Sequence, residues 1–488
     1  MEAIRNEATV KVECPRELLE RFAEALAAVE GVFEQREAAA LTLGNELVRQ
    51  WIEHDLGEMA RRFGDEVSVD GQRYRRHADG TRQYHTLCGP VEVRRASYRQ
   101  VGIHNGPTVV PLDLRAGLRE NATPALAFSV VQGFAERPLR HYQAEMAAAH
   151  RHVPSRSTLE RMGKRIGDAI QAIVTEVEPA IRHTEPTLHA GRSISIGFDR
   201  TTVPMAELAS TPTRRSRPYV RRAPPAVTVA YRMAYVGTVS LHDDEGTVLV
   251  TKRFAATPLQ GPDDIVDRVA NEVRHLRTRY GALPMTVVQD GAPELWNLVA
   301  QLCERHDLAP TCELIDRFHV DERLAEVCEL VTYDERTARE LRESWRKYLD
   351  RSDTAMSRIV RRIDELLLHV LLGALDGDPP PRFWEPIARH RLSAERQQII
   401  SRHVEYFRNH RHLMRYASSL RCGYPIGSGP TEGACKSVVT MRFKRSGQRW
   451  LESGLAPCLS LRALHLSERL RPCFARLQAS RFATLAAA

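Results

Sequence analysis

No stretch of this 488-residue chain approaches the roughly 20 consecutive apolar residues that span a bilayer. The first residues, "MEAIRNEATVKVECPRELLERF", carry too many charges for the apolar core of a secretion signal, which predicts a soluble cytoplasmic chain with no membrane partner. Paired cysteines are missing as well. The nine cysteines (14, 88, 303, 312, 328, 422, 435, 458 and 473) contain no C-x-x-C, so neither a zinc-ligand spacing nor a disulfide framework is visible. Reduced thiols are expected. Negative charge is in deficit: 62 acidic residues face 70 Lys and Arg, a formal +8 that favours polyanionic partners without specifying one.

What is present is material for large cores. Hydrophobic residues make up 43% of the chain and charged ones 27%, and the length predicts about two to four domains. Residues 1–66 read as a helical region, because apolar residues recur at helical spacing through "ELLERFAEALAAVEGVFEQREAAALTLGNELVRQWIEHDL". Residues 67–120 read as a basic β-rich region, with Asp-Gly turns expected at 70–71 and 79–80. Arg73, Arg75, Arg76, Arg82, Arg94, Arg95 and Arg99 would make that sheet positive. Residues 121–190 read as helical again. Val153-Pro154 splits two helical stretches there, and Ser155 or Ser157 is placed to cap the second. This is either a helix-turn-helix presenting Arg161, Lys164 and Arg165 to DNA, or an ordinary helical pair with a solvated basic face.

From residue 191 the texture turns α/β. "SISIGFD" is a β-prone run ending at Asp199, and "AVTVAYRMAYVGTVSL" reads as two further strands. An amphipathic helix follows through "DDIVDRVANEVRHLRTRY", then a strand, "MTVVQD", ending at Asp290. A helix through "ELWNLVAQLCERH" and a strand at "CELIDRFH" complete the set. The order is that of a ribonuclease H-like core over residues 191–320. Residues 321–422 are almost wholly helical in pattern, an α-helical insertion interrupted by the prolines of "LDGDPPPRFWEP". Residues 423–488 would supply the final helices of the core and a tail. The fold class expected is therefore α/β.

Three carboxylates stand out by position. Asp199 and Asp290 each end a buried-looking strand, and Glu432 opens a helix after the Gly-Ser-Gly of residues 427–429. Burying an unpaired charge costs several kcal/mol, so such groups are normally paired, hydrogen-bonded or bound to a cation. If the three converge, their repulsion raises at least one pKa unless a divalent cation neutralises them, and hard oxygen ligands select Mg²⁺ or Mn²⁺. Two such ions suit in-line phosphoryl displacement. The bland alternatives are a common Asp-Gly turn at 290–291 and a plain strand end at Asp199.

The blocks "SIGFDRTTVPM", "VVQDGAPELWNL", "ELIDRFHVDERL" and "GSGPTEGACKSVVTMRFKRSGQRW" resemble those of bacterial insertion-sequence DDE transposases of the ISKra type, over about residues 85–470. The resemblance implies a ribonuclease H-like catalytic domain in which Asp199, Asp290 and Glu432 form the catalytic, metal-binding triad. It also picks out Asp316 and His319. His319 would be catalytic, orienting a phosphate or a neighbouring carboxylate, or else a structural imidazole at a strand end. The partners implied are double-stranded DNA (element ends and target) and further copies of the chain, at least a homodimer, at the nucleoid. The chain departs from the family in having Asp199-Arg200 where many relatives have Asp-Gly, and in having no cysteine in "QVGIHNGPTVVPLDL".

Around Glu432 the chain is basic. Lys436 would share its helical face at i,i+4 and, with Arg442, address phosphates; Lys444, Arg445 and Arg449 would extend that surface. Trp450 would stack on a base or pack in a core. The Gly-Ser-Gly loop would offer amides to phosphate. Arg214, Arg215, Arg217, Arg221 and Arg222, in "TPTRRSRPYVRRAPP", form either a loop that tracks a DNA backbone or a solvated tip. Two rival functions remain: a catalytically silent DNA-binding regulator derived from a transposase, and a metal-dependent nuclease without strand transfer.

Overall fold

The computed structural model describes residues 16–208, 227–373, 382–384, 392–482 and 485–486. It is a mixed α/β protein, and its contacts divide it into two units, residues 1–181 with 468–488, and residues 182–467. Among the described residues no helix is long and apolar enough to cross a membrane.

In the first unit helices α1 (Arg16–Ala27) and α2 (Phe33–Arg61) precede a meander of strands β1 (Glu66–Val69), β2 (Gln72–Thr86), β3 (Gly89–Gln100) and β4 (Thr108–Val109). Asp70 and Gly71 both have positive φ and make the tight turn expected between β1 and β2. The second expected turn is absent. Asp79 and Gly80 run straight through β2, opposite Ala96 and Arg95 of β3, and the hairpin closes instead at Leu87 and Cys88. There Thr86 takes the Cys88 amide and donates to the Gly89 carbonyl, and Gly89 sits at φ 138°. β4 is followed at once by a short helix, α3 (Pro111–Arg115).

Three more helices follow: α4 (Pro124–Glu136), α5 (Leu139–Ala148) and α6 (Arg156–Thr184). The Thr158 amide donates to Ser155 Oγ, so Ser155 caps α6. The link between α5 and α6, residues 149–155, is longer than the three- or four-residue turn of a helix-turn-helix. Lys164 and Arg165 are ion-paired, to Glu160 at 2.8 Å and Glu120 at 3.0 Å. The basic sheet is likewise partly neutralised, because Arg73 and Arg75 share Glu66 and Arg76 pairs with Asp79.

The second unit is built on a five-stranded sheet. Its strands are β5 (Ser193–Leu208), β6 (Val227–His242), β7 (Val248–Ala256), β8 (Met285–Gln289) and β9 (Cys312–Ile315), in spatial order 7-6-5-8-9. Strands 5, 6 and 7 are antiparallel; 5, 8 and 9 are parallel. Helices α7 (Asp263–Tyr280) and α8 (Pro293–His306) make the crossovers that parallel strands need. The strand–helix order matches expectation, but two strands were misplaced. β5 continues past Asp199, and residues 227–241 of "AVTVAYRMAYVGTVSL" lie in one strand, not two. Gly237, mid-strand, is a packing glycine: a Cβ there would lie 2.4 Å from Ile265 of α7. The third strand is "VLVTKRFAA", whose Lys252 disguises it. That lysine is 9% exposed and ion-paired to Glu185 at 2.7 Å.

After β9 come helices α9 (Arg317–Val331), α10 (Glu335–Arg351), α11 (Ala355–Gly373), α12 (Ala394–His410) and α13 (Tyr416–Arg421). Their apolar faces, with Trp345 and Trp384 edge to face, form a second core beside the one between the sheet and α7 and α8. The chain then returns to the sheet in α14 (Gly429–Ala434), a π-helical turn over Cys435–Thr440, and α15 (Met441–Phe443); α16 (Glu452–Leu466) follows.

Candidate active site

Strand register lines up three aspartates. Ile196 of β5 is level with Val287 of β8, and three residues further along each strand stand Asp199 and Asp290 (196 + 3 and 287 + 3). Gln289 of β8 is level with Ile315 of β9, and the next residues are Asp290 and Asp316. All three therefore occupy the carboxyl-terminal edge of the parallel half of the sheet, where α/β sheets place ligand sites. The apolar residues before them, Phe198, Val288 and Ile315, are buried and hold the strands in place.

Each aspartate is held locally. Asp199 Oδ1 accepts the Arg200 amide at 2.6 Å, and Asp290 Oδ1 accepts the Ala292 amide at 2.8 Å at the start of α8. Asp316 is 1% exposed and caps α9 through the Phe318 amide at 2.7 Å.

Glu432 reaches this edge because its helix can approach the sheet closely. A Cβ at Gly197 would lie 2.3 Å from Thr431 Oγ1, so only glycine two residues before Asp199 admits Thr431. Thr431 is then fixed by a buried hydroxyl bond of 2.7 Å to Thr238 on β6. Ser428 joins the two arms: its amide and hydroxyl donate to Asp316 Oδ2, and the hydroxyl also lies 3.1 Å from Glu432 Oε1. The Ser428 amide, expected to meet phosphate, is thus committed to Asp316. His319, on α9 and not on a strand, places Nε2 3.5 Å from Glu432 Oε1 and Nδ1 3.4 Å from Glu322.

The electrostatics follow from burial and like charge. Burial pushes the Asp199 carboxyl above its usual range and Asp290 adds to that, while the Cys435 thiol, the Arg200 amide and His319 pull it back. Glu432 is raised by burial and by Asp316, with Ser428 and His319 opposing. Burial and Asp199 push the Cys435 thiol far up, so it stays protonated and donates to Asp199. Cys435 feels both Asp199 and Glu432, which makes it the link between the two halves of the site.

One ligand atom from each of Asp316, His319 and Glu432 lies within 4.8 Å of the others, and among the described residues this is the group of three that meets so closely. Asp199 and Asp290, expected as ligands, are not in that group, although Asp199 feels the charges of Asp290 and His319. Carboxylates with one imidazole are a donor set suited to a hard divalent cation.

The basic residues divide. Lys436, Arg445 and Arg449 are exposed, and Lys444 is half-buried with its amine on Thr201 Oγ1. Glu432 lies in α14 and Lys436 in the π-helical turn that begins at Cys435. Arg442 was expected on the DNA surface and is not there. It is 3% exposed, 4.9 Å from the Trp450 ring. Trp450 is correspondingly a packing residue: its ring meets Phe443 at 5.0 Å, and its backbone bonds to Pro204 and Ala206 of β5. Arg214, Arg215, Arg217, Arg221 and Arg222 lie outside the described residues.

Sequence reasoning missed Cys435 and the bonds of the Ser428 hydroxyl to Asp316 and Glu432; the signal available was only their nearness to Glu432 in sequence. No protein-family model matches the chain, and no curated protein matches it in sequence.

Proposed function

We propose that this chain is a metal-dependent DNA-cleaving and DNA-joining enzyme, a DDE transposase. The observation that carries this reading is electrostatic linkage at one sheet edge: Asp199 feels Asp290 and His319, and Cys435 feels both Asp199 and Glu432, carboxylates from three segments far apart in sequence. The sheet order 7-6-5-8-9, with three antiparallel and then parallel strands, supports a ribonuclease H-like core, and helices α9 to α13 an insertion before its last carboxylate. The partners in this reading are the double-stranded DNA of element ends and target, brought together by at least two copies of the chain at the nucleoid.

Two Mg²⁺ or Mn²⁺ ions held by Asp199, Asp290 and Glu432, with Asp316 and His319 as further donors, would supply charge stabilisation and an activated nucleophile. The chain's own residues do the positioning. Ser428 and His319 aim Glu432, the Cys435 thiol aims Asp199, and the half-buried Lys444 puts a cation beside them for an anionic phosphate. Water attacks phosphorus at the element end and the 3′-oxygen leaves with a proton. That 3′-hydroxyl then attacks a target phosphorus and displaces the target's 3′-oxygen.

The test is incubation of the purified protein with Mg²⁺ or Mn²⁺ and DNA carrying the sequences that flank its own gene, scoring nicks and joined products. Metal-dependent nicks and joints lost in Asp290→Ala and Glu432→Gln are expected. Nicks without joints would make the protein a nuclease. Tight binding without nicks would make it a regulator.

A further inference from the structure

One face of α9 runs into the site. Asp316 caps the helix, His319 stands three residues on and Arg323 four further, the spacing that stacks side chains along one side. The first two are already placed against Glu432 and Ser428. Arg323 extends the row.

Several arginines of this unit are ion-paired, although Arg362 rests on a ring, that of Phe383 at 4.1 Å. Arg317 pairs with Asp321 and Asp350, Arg346 with Asp321, Arg408 with Asp364, and Arg200 with Glu294. Among the described residues no carboxylate lies within ion-pair distance of Arg323, which rests on an aromatic ring instead: its guanidinium carbon is 4.0 Å from the centre of Tyr406. His410 tilts against the same ring at 4.5 Å. The ring's hydroxyl end abuts the residue after Asp290, since a Cβ on Gly291 would lie 2.6 Å from Tyr406 Cε2 and 2.7 Å from its oxygen. Gly291 is thus a glycine of close approach and not of a turn. Arg323 also hydrogen-bonds the Tyr406 hydroxyl, and a guanidinium with five N–H donors keeps others for an oxyanion.

We propose that Arg323, held on Tyr406, is a phosphate-binding subsite of the carboxylate site, through which the helical region following β9 touches the DNA strand being processed. This rests on the reading of the site as one that acts on phosphodiesters. Arg323 offers two parallel donors to the non-bridging oxygens of a backbone phosphate, and Tyr406 fixes their direction.

Arginine-selective labelling of the full chain with phenylglyoxal, read at Arg323 by peptide mass spectrometry, tests this with a duplex oligonucleotide and Mg²⁺ as the probe. Labelling is expected to slow about tenfold or more when the duplex is added, the protection a charge-assisted bond to phosphate gives. Tyr406→Phe keeps the ring and should keep that protection; Tyr406→Ala should lose it. An Arg323 that labels equally with and without DNA, or that fails to label in the free protein, overturns the subsite. Nicking in the same samples separates the two claims. Protection without Asp290-dependent nicks leaves the subsite standing and removes the cleavage reading; Asp290-dependent nicks without protection remove the subsite alone.

Discussion

Asp290 and Asp316 occupy one register position on neighbouring parallel strands, each the first residue after a paired couple, Gln289 and Ile315. The pair brings two carboxylates to one edge of the sheet, and Asp316 and His319 act on Glu432 with opposite sign. In metal-free protein, Asp316→Asn should therefore lower the Glu432 pKa and His319→Ala should raise it. Carboxyl ¹³C NMR titrations in EDTA, with Glu432→Gln to assign the signal, read both shifts. Shifts in the same direction would contradict the arrangement.

Raised carboxyl pKa values also set a pH dependence of stability. Asp199 and Glu432 bind protons more readily folded than unfolded, so their contribution is fully present below the ordinary carboxylate range and is lost as pH rises through the raised folded values. The metal-free protein should melt progressively lower across that window. At neutral pH Asp199→Asn, which removes a buried and repelled charge, should raise the melting temperature in EDTA by about 2 °C. Calorimetry with and without Mg²⁺ checks this, with the metal restoring the wild type and not the variant.

Gly197→Ala forces its new methyl onto Thr431, one residue from Glu432. Overpacking of this kind costs about 1–3 kcal/mol, too little to unfold a core of this size. The expected result is a folded protein whose Glu432 is displaced and whose nicking falls about 100-fold, as a 1 Å misplacement can produce. Circular dichroism melts and plasmid nicking separate the two effects.

Arg442 and its neighbours should behave differently under salt. Arg442→Ala removes a buried cation from the Trp450 ring and should cost about 2 kcal/mol of stability while leaving the salt slope of DNA binding unchanged. Arg445→Ala and Arg449→Ala, both exposed, should each lower that slope by about 1 if they meet phosphates. Fluorescence anisotropy across a salt series measures the slopes.

Much of this architecture was legible because it is local. "MTVVQ" reads as a buried strand from its unbroken apolar run, and α7 from its periodicity, with Ile265, Val269, Val273 and Leu276 buried as the spacing requires. What long-range contacts decide was misread. Nothing local distinguishes the Asp-Gly that turns at 70–71 from the one that stays extended at 79–80; pairing with β3 does. β7 was hidden by Lys252, whose charge becomes tolerable only beside Glu185. In the site, Asp290 and Glu432 were visible as carboxylates at element ends and Asp199 as one after an apolar run, although β5 continues past it. The burial of Arg442 was not, because its helix follows a π-helical turn that the sequence does not announce.

Whether these carboxylates form one divalent-cation centre is decided by titrating the metal-free protein with Mn²⁺ and following free Mn²⁺ by electron paramagnetic resonance. The wild type should bind about two ions per chain, as paired-metal phosphoryl-transfer sites do, and Asp290→Ala and Glu432→Gln should each lose at least one. Binding that is absent from the wild type, or identical in all three proteins, would contradict such a centre.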